Sequence, residues 1–153
     1  MRTKTLILQS DTATTELAQQ LAPTLGTGDA VLLEGPIGAG KTHFARALIQ
    51  SLLDYAEDVP SPTFTLVQTY ETSNFDIWHC DLYRLTHPDE VFELGLDEAF
   101  ETSLCLIEWA DRLGSETPEN ALQLSFEMLE NDQDRKITFS GSSPQWDKIF
   151  DVV

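Results

Sequence analysis

Positive charge is scarce: nine Lys and Arg stand against 26 Asp and Glu among 153 residues, a formal net charge of −17 at pH 7. Such a surface repels phosphate backbones, because affinity for DNA or RNA rests mainly on Lys and Arg displacing counterions. Direct nucleic-acid binding by this chain alone is disfavoured, and any role on RNA calls for a partner that holds it. Long apolar runs are absent too. None approaches the roughly 18 residues that span a bilayer. The apolar start Leu6-Ile7-Leu8 turns polar at Gln9, too short for a secretory core. Membrane insertion and export are both disfavoured. Only two cysteines occur, Cys80 and Cys105, with neither metal spacing nor a disulfide-rich context. They suit a reduced cytoplasm, where small buried thiols are ordinary core residues. His43, His79 and His87 share no common metal spacing, so none is read as a ligand.

What is present is enough for a core. Hydrophobic residues make up 41% and aromatics 9%, which excludes a disordered acidic tail. A chain of this size buries roughly 70% of its unfolded surface. Without repeats, low-complexity tracts or linkers, a single domain over residues 1–153 is the economical reading. Residues 4–9 read as a strand, and Asp11 or Thr12 as the cap of a helix to about Leu25. Residues 30–34 are a short apolar run, read as a buried parallel strand, followed by a glycine-rich turn and a helix over about 41–53. Strands are expected over 64–70 and 75–85, a short helix from Pro88, and a further buried strand over 104–107. Residues 121–129 and 136–140 read as a hairpin around Asn131-Asp132-Gln133-Asp134. This alternation predicts a three-layer α/β fold, mainly parallel with added antiparallel strands.

Gly35-Pro36-Ile37-Gly38-Ala39-Gly40-Lys41-Thr42 matches G-x-x-x-x-G-K-[ST]. Glycines let the backbone curl so that successive N–H groups point at phosphate oxygens, and the following helix N-terminus adds partial positive charge. Lys41 would reach between β- and γ-phosphates, and Thr42 would offer its hydroxyl to Mg²⁺. A chance match occurs in roughly one of a few hundred chains this long. Here an apolar strand precedes the loop and an apolar helix follows, so the chain is expected to have the P-loop NTPase fold.

Such a site needs a carboxylate on the metal side. Glu108 ends the run Leu104-Cys105-Leu106-Ile107 and should emerge at a strand's carboxyl end, where open α/β sheets bind ligands. A surface Glu after a core strand is the bland alternative. Asp81 is the rival: in a strand His79, Asp81 and Tyr83 share one face, and that row either lines a cleft or meets solvent. Ser61-Pro62-Thr63 reads as a loop-to-strand entry or as a loop whose hydroxyls sense a γ-phosphate. Trp109, from the residues alone, reads first as core filling and second as a stacking surface.

Taken together, these segments resemble the TsaE (YjeE) family of small P-loop ATPases. The resemblance rests on residues 35–42 followed by Phe44-Ala45-Arg46, on Ser61-Pro62-Thr63-Phe64-Thr65-Leu66-Val67, on His79-Cys80-Asp81-Leu82-Tyr83-Arg84-Leu85, on Glu93-Leu94-Gly95-Leu96, and on Ile107-Glu108-Trp109. It runs from about Asp11 to Leu113, with the tail matching only as a loose pair of strands. It implies an ATP- and Mg²⁺-dependent subunit of the bacterial machinery that makes N6-threonylcarbamoyladenosine at tRNA position 37, docking on a TsaB–TsaD pair that carries the transfer chemistry. By the same resemblance Lys41 holds phosphates, and Thr42 with Glu108 holds Mg²⁺. Asp81 ligates that metal, directly or through water, or orients the attacking water. Ser61 and Thr63 fall in a switch-like loop, Trp109 lies beside the nucleotide, and Arg84 is a candidate for phosphate or partner contact. Pro36-Ile37 stands where the family commonly has Asp-Leu, and His43 where it commonly has Thr.

Two other readings stay open. A nucleotide or small-molecule kinase shares this loop, but kinases that bind phosphorylated acceptors normally need several arginines around acceptor and lid. This chain has only Arg2, Arg46, Arg84, Arg112 and Arg135. A nucleotide-gated docking factor, with hydrolysis merely resetting it, is the other.

Overall fold

The computed structural model describes every residue except Phe64 and Asp132. In chain order the elements are β1 (Arg2–Leu8), α1 (Asp11–Leu21), β2 (Ala30–Glu34), α2 (Lys41–Leu52), β3 (Val67–Glu71), β4 (Asp76–Asp81), α3 (Glu90–Leu94), α4 (Leu96–Thr102), β5 (Leu104–Glu108), β6 (Leu122–Met128), β7 (Arg135–Gly141) and α5 (Asp147–Val152). The strands form one sheet in the order β1-β7-β6-β2-β5-β4-β3. Its centre, β6-β2-β5-β4, is parallel, and β3, β7 and β1 add antiparallel edges. The expected mainly parallel α/β sheet with antiparallel additions is what forms.

Period-two alternation makes the layers. On β2, Val31 and Leu33 face one core with Leu17 and Leu21 of α1 and Phe44 and Leu48 of α2. Ala30 and Leu32 face the other, with Val91, Leu96 and Ala99 from α3 and α4. On β5, Leu104 and Leu106 go to the first core and Cys105 and Ile107 to the second. Both faces of the central strands are therefore apolar, which is why they read as continuous hydrophobic runs. Among the described residues, no helix is long and apolar enough to cross a membrane.

Several boundaries differ from the sequence reading, each for a local reason. Ser10, rather than Asp11 or Thr12, caps α1 by accepting from the Ala13 N–H at 3.1 Å. The helix ends at Leu21 because Pro23 cannot continue the N–H ladder, and a 3₁₀ turn over Ala22–Thr24 follows. β4 stops at Asp81, not Leu85: the Asp81 carboxylate accepts from the Tyr83 N–H at 3.0 Å, and Leu85 turns back onto the Leu82 carbonyl. β3 starts at Val67, since Leu66 at φ +68° bonds back to the Pro62 carbonyl; Phe64, where the reading began this strand, lies outside the described residues. The short helix expected from Pro88 is two, divided at Gly95 (φ +82°). The terminal hairpin forms as β6 and β7, with Asp132 of its turn outside the described residues. A 3₁₀ segment over Ala110–Glu116 and helix α5 have no counterpart in the reading.

Phe44 is fully buried and meets Phe126 edge to face, centroids 5.8 Å apart. Phe44→Ala should lower unfolding stability by about 3–5 kcal/mol in urea titrations; an unchanged midpoint would contradict this packing. Burial pushes the Cys105 thiol up to about 12 and the Cys80 thiol upward as well. Native protein at pH 8 should therefore resist iodoacetamide, with both thiols labelling only in denaturant. Ready labelling without denaturant would place them elsewhere.

Candidate functional site

β2 delivers the chain into the loop of residues 35–40, which closes at the N-terminus of α2. Gly35 sits at φ +141°, and a Cβ there would lie 2.5 Å from the Phe126 carbonyl oxygen, so only glycine passes beside β6. Gly40 (φ +103°) is the N-cap of α2. The first turn of a helix leaves N–H groups without intrahelical acceptors, and its dipole end is positive. This end opens on a cavity of about 600 Å³, whose wall includes Gly38, Gly40, Lys41 and Thr42. A helix end of this kind, reached through Gly38 (φ +85°) and Gly40 at positive φ, fits an anion.

Two strand ends supply the opposing charge. Asp81 and Glu108 are register partners at the ends of β4 and β5, 5% and 2% exposed. The Thr42 hydroxyl donates to Glu108 Oε1 at 2.8 Å, and His79 Nε2 lies 2.7 Å from Glu108 Oε2. Asp81 accepts from the Tyr83 N–H on Oδ1 and from the Thr63 hydroxyl on Oδ2 at 3.3 Å; Thr63 in turn pairs with Ser61 Oγ at 2.8 Å. Lys41 is buried. Its Nζ donates to the Gly35 carbonyl at 2.6 Å and lies 3.9 Å from the Trp109 ring centroid. Burial lowers the Lys41 pKa below its ordinary value, opposed first by the charge of Glu108 and then by Asp81. Trp109 holds φ +58°, and its ring packs on Tyr83 with centroids 4.8 Å apart.

Among the described residues, no three His, Cys, Asp or Glu side chains converge on a metal position. The Thr42 hydroxyl beside the Glu108 and Asp81 carboxylates suits Mg²⁺, which is commonly held by one or two carboxylates with substrate phosphates completing its shell.

Most of the residues singled out in the sequence meet here. Ile37, Gly38, Gly40, Lys41, Thr42, His43, Thr63, Asp81, Glu108 and Trp109 all line the cavity. Gly35 and Pro36 instead line a smaller recess of about 320 Å³ behind Lys41 and Trp109, together with Glu34 and Asp111. Ala39 is buried. Ser61 reaches the site only through Thr63, and Arg84 is exposed away from the cavity wall. Trp109 packs partly buried against the second core, as its first reading has it, and also walls both hollows. His43 turns toward α1, where Nε2 contacts Thr15 Oγ1 at 3.0 Å and the Asp11 carbonyl at 3.1 Å. The face shared by His79, Asp81 and Tyr83 holds only to Asp81, where the strand ends; His79 is wholly buried and Tyr83 half-exposed.

Sequence reasoning missed Asp11, Thr14 and Arg135 in the wall; Tyr83, from the row offered as the lining of a cleft, does line it, and His79 of the same row lies behind it. Arg135 arrives with the terminal hairpin and contacts the Gly38 carbonyl at 3.4 Å. No local signal marks it. The polar alternation of β4 did mark His79.

Residues 8–137 match the family model described as threonylcarbamoyl adenosine biosynthesis protein TsaE. The chain belongs to the TsaE family. Two relatives carry the name tRNA threonylcarbamoyladenosine biosynthesis protein TsaE. That of Rickettsia bellii (strain RML369-C) is 42% identical over 127 residues, covering 83% of this chain and 88% of the relative. That of Bacillus subtilis (strain 168) is 34% identical over 137 residues, covering 89% and 84%. The crystal structure of Bacillus subtilis YdiB superimposes with a TM-score of 0.79 at 26% identity, over 98% of this chain and 93% of that one. This TsaE-family chain thus takes part in tRNA threonylcarbamoyladenosine biosynthesis. The family match runs through β6 into β7, so it takes in part of the tail that the sequence reading matched only as a loose pair of strands.

Gly35→Ala should destabilise the fold by at least the roughly 1–3 kcal/mol of a strained backbone, because the Phe126 carbonyl leaves the new Cβ no room. Gly26→Ala, with nothing within 4 Å of the added Cβ, should stay within about 0.5 kcal/mol. Equal urea midpoints for the two variants would contradict the close approach of loop and β6.

Proposed function

We propose that this chain is a Mg²⁺-dependent ATPase subunit of the tRNA N6-threonylcarbamoyladenosine machinery, working in the cytoplasm through a TsaB–TsaD complex. The observation that carries the reading is the Thr42–Glu108 hydrogen bond beside the glycine-rich loop. It joins a hydroxyl at a helix N-terminus to a carboxylate at a strand end, two groups that phosphoryl-transfer sites use to hold a metal. When bound, Mg²⁺ supplies Lewis-acid polarisation and neutralises charge developing on phosphoryl oxygens.

The chain's own groups do the rest. Backbone N–H groups of the loop and of the first turn of α2 receive the polyphosphate. Lys41 exchanges its Gly35 carbonyl for phosphate oxygens, a modest change because its ammonium already sits within the loop. Asp81, fixed by Tyr83 N–H and Thr63 Oγ1, holds the metal or orients the attacking water. Because Thr63 contacts Asp81, movement of the loop at 61–63 is coupled to that carboxylate. Trp109 flanks the site. Phosphoryl transfer asks for positioning and charge stabilisation rather than covalent chemistry, and these residues offer both. The acidic surface leaves tRNA to the partner complex.

Phosphate release from Mg·ATP, measured for the chain alone and with purified TsaB–TsaD, tests this. Stimulation by the pair that disappears with Lys41→Ala is expected, with Asp81→Ala and Glu108→Ala each losing about 10²-fold or more. No release in either condition contradicts hydrolysis. Brisk release that ignores the pair contradicts the partner.

A further inference from the structure

His79 occupies a core position. On β4 it lies between Ile77 and Asp81, opposite Leu106 of β5, and it is wholly buried on the face covered by α1 and α2. Ile77, Leu104 and Leu106 around it are fully buried aliphatics. An imidazole in such a place must answer for its polar atoms. Its Nε2 lies 2.7 Å from Glu108 Oε2, while Nδ1 is buried with no hydrogen-bond partner among the described residues. The ring therefore spends its one polar contact on Glu108. A carboxylate oxygen only accepts, so the His79 Nε2–H donates.

The two oxygens of Glu108 then have separate tasks. Oε2 is held from the core side by His79, and Oε1 faces Thr42 at the cavity. A Glu side chain held by Thr42 alone could rotate about its terminal bond; a second donor from behind fixes the plane of the carboxylate. We infer that His79 is a positioning residue, which orients Glu108 so that Oε1 and the Thr42 hydroxyl form a ready-made pair of oxygen donors for a divalent cation carried with the nucleotide. This rests on the ATP–Mg²⁺ reading above and adds a residue that acts through Glu108 without touching substrate. Outer hydrogen bonds to ligating groups commonly hold 10–100-fold in metal affinity.

The test is binding, not turnover. A non-hydrolysable ATP analogue is titrated calorimetrically into the full chain, once with Mg²⁺ and once with EDTA. In His79→Leu the Mg²⁺-dependent gain in affinity should shrink about 10–100-fold, while affinity in EDTA stays within about twofold of wild type. His79→Gln, whose amide nitrogen reaches the Nε2 position, should restore most of that gain; His79→Asn, one bond shorter, should not. Thermal melts accompany each variant, and if His79→Leu does not fold, the Gln and Asn pair carries the comparison. A folded His79→Leu with the full Mg²⁺ gain, or equal losses in both media, overturns the positioning role. Equal behaviour of Gln and Asn overturns it too. A wild-type chain with no Mg²⁺-dependent gain overturns the underlying reading and this inference with it.

Discussion

The hydrogen bond from Thr42 to Glu108 joins two parts of the chain that the sheet alone keeps in reach. β2 and β5 are adjacent and parallel, with Leu33 in register with Glu108, so both strands end at the same edge. The loop after β2 then has to climb, curl and start α2 within six residues, which brings Thr42 back over the end of β5. Gly35 makes that path possible, since any side chain there would run into the Phe126 carbonyl. Remove the parallel register or the tight loop, and the hydroxyl and carboxylate no longer meet.

The electrostatics follow from the same convergence. The chain carries −17 overall, and two of its carboxylates lie nearly buried in the cavity wall. Against them stand Lys41 and the positive end of α2, with Arg135 touching the loop from β7. A polyphosphate would be received chiefly by backbone N–H groups, with few cationic side chains. A divalent cation between Thr42 and the carboxylates would then relieve repulsion that the protein leaves in place. On this view the acidic character that disfavours direct RNA binding is compatible with the proposed nucleotide binding, because the proposed anion site would be built from main chain rather than from surface Lys and Arg.

The site's local parts could be read from the chain, and its assembled parts could not. The loop of residues 35–42 announces itself because phosphate chemistry restricts both residue types and spacing, and Glu108 because it ends an apolar run. The buried strands β2 and β5 were equally plain. Arg135 and Asp11 reach the cavity through the packing of a terminal hairpin and of α1, and no window of sequence contains that packing. Ser10 lost the N-cap to its neighbours on paper because three polar residues in a row compete for it. Asp81 ended β4 early by a side-chain bond to Tyr83 N–H, which period-two patterning does not register. His79 lay on the correct face, but only cross-strand register with β5 puts it behind Glu108.

The most direct test is a crystal structure of the chain with Mg²⁺ and a non-hydrolysable ATP analogue. The predicted result has the cation between the Thr42 hydroxyl and Glu108 Oε1, Lys41 released from the Gly35 carbonyl onto phosphate oxygens, and the triphosphate inside the curl of residues 35–40. A triphosphate bound elsewhere, with the Thr42–Glu108 and Lys41–Gly35 hydrogen bonds both intact, would contradict it.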